Sequence, residues 1–474
     1  MKQFSKAIFA MFLSAAIVSS CKKASVDEME ANGSSKGGST TSALRTIYVN
    51  GNTGSDASTN PFSSSTPYKT LQKAADITLP GDDVMVMSGT YIPNASDTNP
   101  SKAILDVTRS GTASNYITYK LYPGASAVIH TYGRRWNAVV INASYIKFDG
   151  IEVKGNNNNT PGGAFLDAAK ASQLHYRSGA TKDWARYSEY CTNGISVGGQ
   201  ANVTKNPHHV EIRNCKVHDL PGGGIGLERA DYVTMESNTV YNTCWFGMYG
   251  NSGISVFSPT DYDSSTGYRM RVSKNKCYNN YTQVPYVGSS TSELSDGNGI
   301  IVDQTNFTSY TGRTLVENNI CYKNGGGGVH LFKSSRIDVM NNTLYANEQV
   351  LGYANMDART VTDSRFLNNI VYAKNGGKAN DLNTSTAVTF NYTVYYNGTV
   401  KAGTAGANSI TANPSFVNAE AGDFWLNGGS PAINAGVPLD PNGVYPFPGT
   451  SGTDITWRPR IKNGRIDCGA YEVN

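Results

Sequence analysis

One short pattern recurs through the middle of the chain and limits what it can become: an apolar residue, two variable residues, Asn, one further residue, an aliphatic or Cys, then Tyr. Its copies read VTMESNTVYN, RVSKNKCYNN, LVENNICYKN, DVMNNTLYAN and RFLNNIVYAK, with an earlier variant, VEIRNCKVHD. Aligned on Val217, Val240, Cys277, Cys321, Leu344, Val371 and Val394, they lie 23, 37, 44, 23, 27 and 23 residues apart. A base period near 23 with short apolar strands and Asn-rich turns fits one coil of a right-handed parallel β-helix. Such a coil buries its inward side chains only when stacked on its neighbours. Asn at the turn can stack as an internal ladder and tolerates left-handed backbone. Leucine-rich repeats share the period but need leucines and helix-forming stretches that are missing here.

A second pattern keeps pace: GISV (194–197), GIGL (224–227), GISV (253–256), GIIV (299–302) and GVHL (328–331). The two long spacings are therefore inserted loops, 257–271 and 279–296. Strand alternation turns Ile225, Ile254, Ile300 and Val329 inward and Gly226, Ser255, Ile301 and His330 outward. Two residues on, Glu228, Phe257, Asp303 and Phe332 also point out. The column that mixes carboxylates, aromatics and His, with long loops beside it, is where function is expected.

Composition agrees with an all-β solenoid: 49 Gly and 29 Tyr, with only 16% charged residues. The net charge of +4 and the lack of a basic tract argue against nucleic-acid binding. At the start, Lys2 and Lys6 precede an apolar run from Ala7 to Val18 that is too short to span a membrane as a mature helix. Residues 1–21 read as a signal peptide and 22–44, nearly devoid of large apolar residues, as a flexible tether. The β-helix is assigned to 45–405, opened by a strand and by the short capping helix of YKTLQKAADI. Residues 406–474 are read as final coils and a C-terminal cap. Six further cysteines show no metal-binding spacing, and Cys277 and Cys321, sharing register, are expected as reduced core residues.

Two resemblances extend this reading. Ser19-Ser20-Cys21 resembles a bacterial lipobox, which implies that Cys21 is the acylated first residue of the mature protein. Asp27, Glu28 and Glu30 after it resemble Bacteroidetes-type lipoproteins, implying an outer-membrane position, open to surface exposure, in which only the lipid touches the membrane. Residues 146–375, with Asp296-Gly-Asn-Gly-Ile-Ile-Val-Asp303 and GGGGVHLFK ending at Lys333, resemble right-handed β-helix proteins related to polysaccharide lyase family 9 and other pectate lyases. That resemblance implies β-elimination on an acidic, pectin-like polysaccharide. It also implies Ca²⁺ held by acidic residues, here Asp296 and Asp303, and a basic residue that removes the C5 proton. Lys333 is the first candidate base and His330 the second.

From the residues alone, Arg313 suits a substrate carboxylate, and Glu228, Trp245 and Phe257 suit sugar contact. His218 suits either a turn-stabilising role or substrate contact. Each candidate also has a plain reading: Lys333 solvated at a turn, His330 capping a ladder, Asp296 forming a turn. Glu228 and Asp303 also suit an inverting glycoside hydrolase, the second reading, and a non-catalytic glycan-binding or adhesive surface protein stays open. A monomer is expected.

Overall fold

The computed structural model describes residues 44–94, 97–133, 135–157, 162–199, 206–447, 449–462 and 464–473. The expected signal segment, Cys21 and residues 22–43 of the tether lie outside them. The chain winds into three long parallel sheets of 11, 9 and 11 strands. The first sheet runs from Thr46–Val49 to Thr386–Asn391, the second from Leu105–Val107 to Asn380–Asn383, and the third from Gly89–Tyr91 to Ile410–Thr411. In one coil, Arg313–Glu317 lies in the first sheet, Ile320–Tyr322 in the third and Val329–Phe332 in the second. The next coil restarts at Ser335–Met340. The helix Leu71–Ala75, capped by Thr70, packs Leu71, Ala74 and Ala75 into the first coils.

The repeat sets the core. Val217, Val240, Cys277, Cys321, Leu344 and Val371 are paired in succession and fully buried. Cys277 and Cys321 face each other unbridged. The last aligned position differs: Val371 pairs with Tyr395, and Val394 with Ile370. That coil is one residue longer, so Tyr395, not Val394, joins the interior row.

The corners explain the asparagines. Asn238, Asn275, Asn319, Asn342 and Asn369 form a buried row in which each Nδ2 donates to the next Oδ1 at 3.0 Å. A second row links Asn280, Asn324, Asn347 and Asn355 at 2.8–3.0 Å. The left-handed backbone falls one residue earlier than the ladder: Ser237, Lys274, Asn318, Asn341 and Asn368 have φ of 55–59°. One residue of the pair makes the turn and the other satisfies buried amides.

Among the described residues of 406–474, only Ile410–Thr411 continues the winding. Phe416–Asn418 and Asp423–Leu426 form an antiparallel pair, and the rest returns along the outside of earlier coils instead of only closing the end. There Ser451 N donates to Glu317, Asn318 Nδ2 to Thr453 O, and Gly469 N to Asn368 O. The segment thus takes up polar groups left at the outer corner.

Two helices were not anticipated: Gly163–Arg177, and Trp184–Cys191 with Asp183 capping its start. They pack Ala169, Tyr187 and Cys191 against Trp245, Phe246, Met248 and Val284, forming a satellite core outside the solenoid.

Candidate functional site

The second sheet holds two neighbouring outward columns. One reads Gly226, Ser255, Ile301, His330, Asp357 along successive strands, and the other Glu228, Phe257, Asp303, Phe332, Arg359. Strand ends and corner turns hold these side chains, so their spacing follows the strand separation of about 4.8 Å.

Asp303 ends the strand Ile300–Asp303. Burial drives its carboxyl up to about 7, helped by the charge of Asp296 and opposed by His330 and Lys333. Its Oδ1 is buried without a hydrogen-bond partner. Glu228, two strands away, is likewise raised to about 7 by burial, against a weak pull from Arg229. Its Oε2 is also buried and unpartnered. Buried acceptors with no partner are costly and mark positions where a ligand or proton can supply the bond. Phe257 lies between the two carboxylates on the intervening strand.

His330 and Asp357 are neighbours in the other column. His330 Nδ1 sits 3.1 Å from Asp357 Oδ2, off the direction of a straight hydrogen bond. Arg359 Nε donates to the same oxygen at 2.9 Å. Burial alone would raise Asp357, but His330 and Arg359 outweigh it and hold the carboxyl below its ordinary range. Tyr353 stacks on His330 at 5.4 Å and lies beneath the Arg359 guanidinium. Asp357, Arg359 and Tyr353 were not singled out from sequence. The signal was Asn355-Met-Asp-Ala358, a further copy of the second pattern with Asn in place of Gly.

Lys333 is exposed at a left-handed corner, with φ of 45° and its Nζ 5.0 Å over the Phe332 ring. Asp296 also turns left-handed, at 69°, and accepts from Ser295 Oγ at 2.8 Å and Asn298 Nδ2 at 3.3 Å. Burial raises its carboxyl too. Tyr286, from the insertion beside the site, feels the charges of both Asp296 and Asp303. Among the described residues no three His, Cys, Asp or Glu side chains gather to hold a metal.

Three other candidates fall elsewhere. Arg313 belongs to the first sheet, where Nη1 meets Asp338 at 3.0 Å and Nη2 meets Asp363 at 2.9 Å. His218 belongs to the third, held by Glu152 at 2.7 Å and Asp219 at 2.9 Å and stacked on Tyr241. Trp245 is buried in the satellite core and donates to Asn279 O. Corner-to-corner distance along the sequence could not show which sheet each would join.

A family model described as right handed beta helix region matches residues 129–366. No curated protein matches the chain. Among solved structures, the chain is similar to pectate lyase Pel9A at 15% identity, covering 91% of this chain and 96% of that one, with a TM-score of 0.48. It is also similar to a rhamnogalacturonan lyase at 15% identity, covering 85% and 95%, with a TM-score of 0.44. A GH136 lacto-N-biosidase from Eubacterium ramulus is 14% identical, covering 78% and 67%, with a TM-score of 0.42.

Proposed function

This chain belongs to the right-handed β-helix family, and from that premise we propose that it is an exported enzyme that cuts an acidic, uronate-containing polysaccharide by β-elimination. The observation that carries this reading is Asp303, whose carboxyl titrates near 7 with one oxygen bare, in a column flanked by Lys333 and Arg359. Below that pH the group is a neutral acid. It donates a hydrogen bond to the uronate carboxylate and draws off charge as the C5 proton leaves. Lys333, as the free amine, takes up that proton, the C5 electron pair forms the C4–C5 double bond, and the C4–O bond breaks, the leaving oxygen receiving the proton back from the Lys333 ammonium. Phe257 and Phe332, in the same column, give the sugar rings an apolar face. No step needs calcium.

A glycoside hydrolase is the second reading, favoured by one observation. Glu228 and Asp303 stand two strands apart, which places their main chains roughly 10 Å from each other. Side chains leaning together would reach the separation of an inverting pair, about 6.5–9.5 Å.

One assay separates these. The protein is incubated with pectic, alginate-like and glycosaminoglycan polymers, with and without chelator, following absorbance of an unsaturated product and new reducing ends. Absorbance unaffected by chelator supports elimination. Reducing ends without absorbance move the assignment to hydrolysis, and intact polymer throughout refutes both. Anchoring through Cys21 is part of the proposal, and labelled fatty acid incorporated by the wild type but not by Cys21→Ser is the expected result.

A further inference from the structure

On the first sheet, away from Asp303, a cavity of about 460 Å³ opens between the solenoid and the returning C-terminal segment. Tyr268, Arg271, Arg313 and Arg365 line it from the sheet, and Pro446 and Phe447 from the segment. Arg271, Leu315, Asp338 and Arg365 occupy one outward column on successive strands.

Asp338, fully buried, organises the floor. It accepts from Tyr268 Oη at 2.5 Å, Arg313 Nη1 at 3.0 Å, and Arg365 Nε and Nη2 at 2.7 and 2.6 Å. Asp363 at the rim takes the Nη2 of Arg313. Arg365 stacks on Phe447 at 4.6 Å, and Arg271 over Tyr268 at 5.6 Å. These contacts fix the guanidinium planes without using all their donors. Among the described residues Arg271 makes no ion pair within 4.0 Å, and Arg365 meets Asp338 through Nε and Nη2, leaving Nη1 outside that pair of bonds. Arg313 and Arg365 share the carboxylates of Asp338 and Asp363, and Arg271 adds a third guanidinium to the lining, leaving one positive charge over. Glu317, a further carboxylate that feels Arg271, accepts from Ser451 N and is shared with Lys274 and Arg460.

We infer that this cavity is a subsite for one carboxylated sugar unit, a uronate, with Arg271 as the principal contact to its carboxylate. The planar fork of a guanidinium matches a carboxylate through two parallel hydrogen bonds, which a Lys ammonium does not reproduce. Tyr268, Pro446 and Phe447 supply the apolar wall that a pyranose ring needs beside such a charge. The subsite shares with the proposed function the acidic-glycan class, but it requires no chemistry at Asp303. It would serve equally on a protein that only holds the polymer.

The test is calorimetric titration with trigalacturonate and with its methyl ester, which removes the charge and keeps the rings. The starting protein is the full chain carrying Asp303→Ala and Lys333→Ala, which remove the proposed donor and base of the other face. This double variant is expected to bind trigalacturonate and to bind the ester at least about tenfold more weakly. Adding Arg271→Ala is expected to weaken trigalacturonate at least about tenfold at unchanged melting temperature, and Arg271→Lys to restore only part. Loss of binding already in the double variant, an ester bound as tightly as the acid, or Arg271→Ala without effect would each overturn the subsite. Polymer left uncut by the wild type, with this binding pattern intact, would sink the enzymatic reading and leave the subsite standing.

Discussion

Glu228 and Asp303 stand in the same outward column of the second sheet with Phe257 on the strand between them. Each is pushed up to about 7 by burial, and each keeps one buried oxygen without a partner. A solenoid makes this possible because the column repeats at strand spacing, so one coil can separate two carboxyls without letting either reach the other.

Stability should therefore depend on pH near neutrality. A carboxyl whose folded pKa lies above its unfolded value gives stability that is full below about 4 and is lost as pH rises through about 7. Each group contributes on the order of 1–2 kcal/mol once solvent at the open face is allowed for. Denaturant melts at about pH 5 and about pH 8 should show the wild type losing stability, and Glu228→Gln with Asp303→Asn losing much less. Equal losses in both proteins would contradict the assigned cause.

Catalysis should follow the same proton. If neutral Asp303 donates to the substrate, kcat/KM falls as pH rises through about 7. Asp303→Asn, which keeps a donor, should retain more activity than Asp303→Ala, whose loss is expected at about a hundredfold or more. Equal loss in both variants would argue against a donor role.

Asp357 is bound between His330 and Arg359 and should matter in the opposite pH direction. Its carboxyl is held below its ordinary range, so its contribution is present above the unfolded value and is lost as pH falls through the lowered one. Asp357→Asn leaves Arg359 without its carboxylate partner and should cost about 3 kcal/mol near neutrality. Melting curves that coincide with the wild type would refute this.

The asparagine row supplies a fourth test. Asn319 donates to Val272 O and Asn342 Oδ1 while accepting from Asn275 N and Nδ2. Asn319→Ala strands several buried groups and should cost about 3 kcal/mol or more, visible as a lower denaturation midpoint at unchanged slope. Ala346, at φ of 46°, is instead expected to gain stability as Gly, by about 0.5 kcal/mol.

His218 was a candidate for substrate contact, yet both ring nitrogens are engaged by Glu152 and Asp219 and its face by Tyr241. His218→Gln should keep kcat/KM within about threefold while lowering stability by about 1–2 kcal/mol. A much larger loss of turnover, with stability intact, would return this residue to the site.

The winding was legible because its period is carried by side chains that must be inward: Val217, Val240, Cys277, Cys321, Leu344 and Val371 are spaced by the coil itself. Asp303 and His330 were legible for the same reason, through the Gly-aliphatic pattern. Arg313 and Trp245 were not, because only three-dimensional packing decides the sheet a residue joins and what covers it. Asp357 hid behind Asn355, which the ladder requires where other copies have Gly. The helical pair 163–191 carries no repeat and answers to the satellite core alone.

The interval between ladder asparagines runs 37, 44, 23 and 27 residues from Asn238 to Asn369, yet the hydrogen bonds between them stay at 3.0 Å. Loop length and interior order are thus inherited separately. A lineage, or an engineer, can rewrite what flanks the second sheet by splicing longer or shorter loops between fixed asparagines. New specificities then arise without any rung of the scaffold being redesigned.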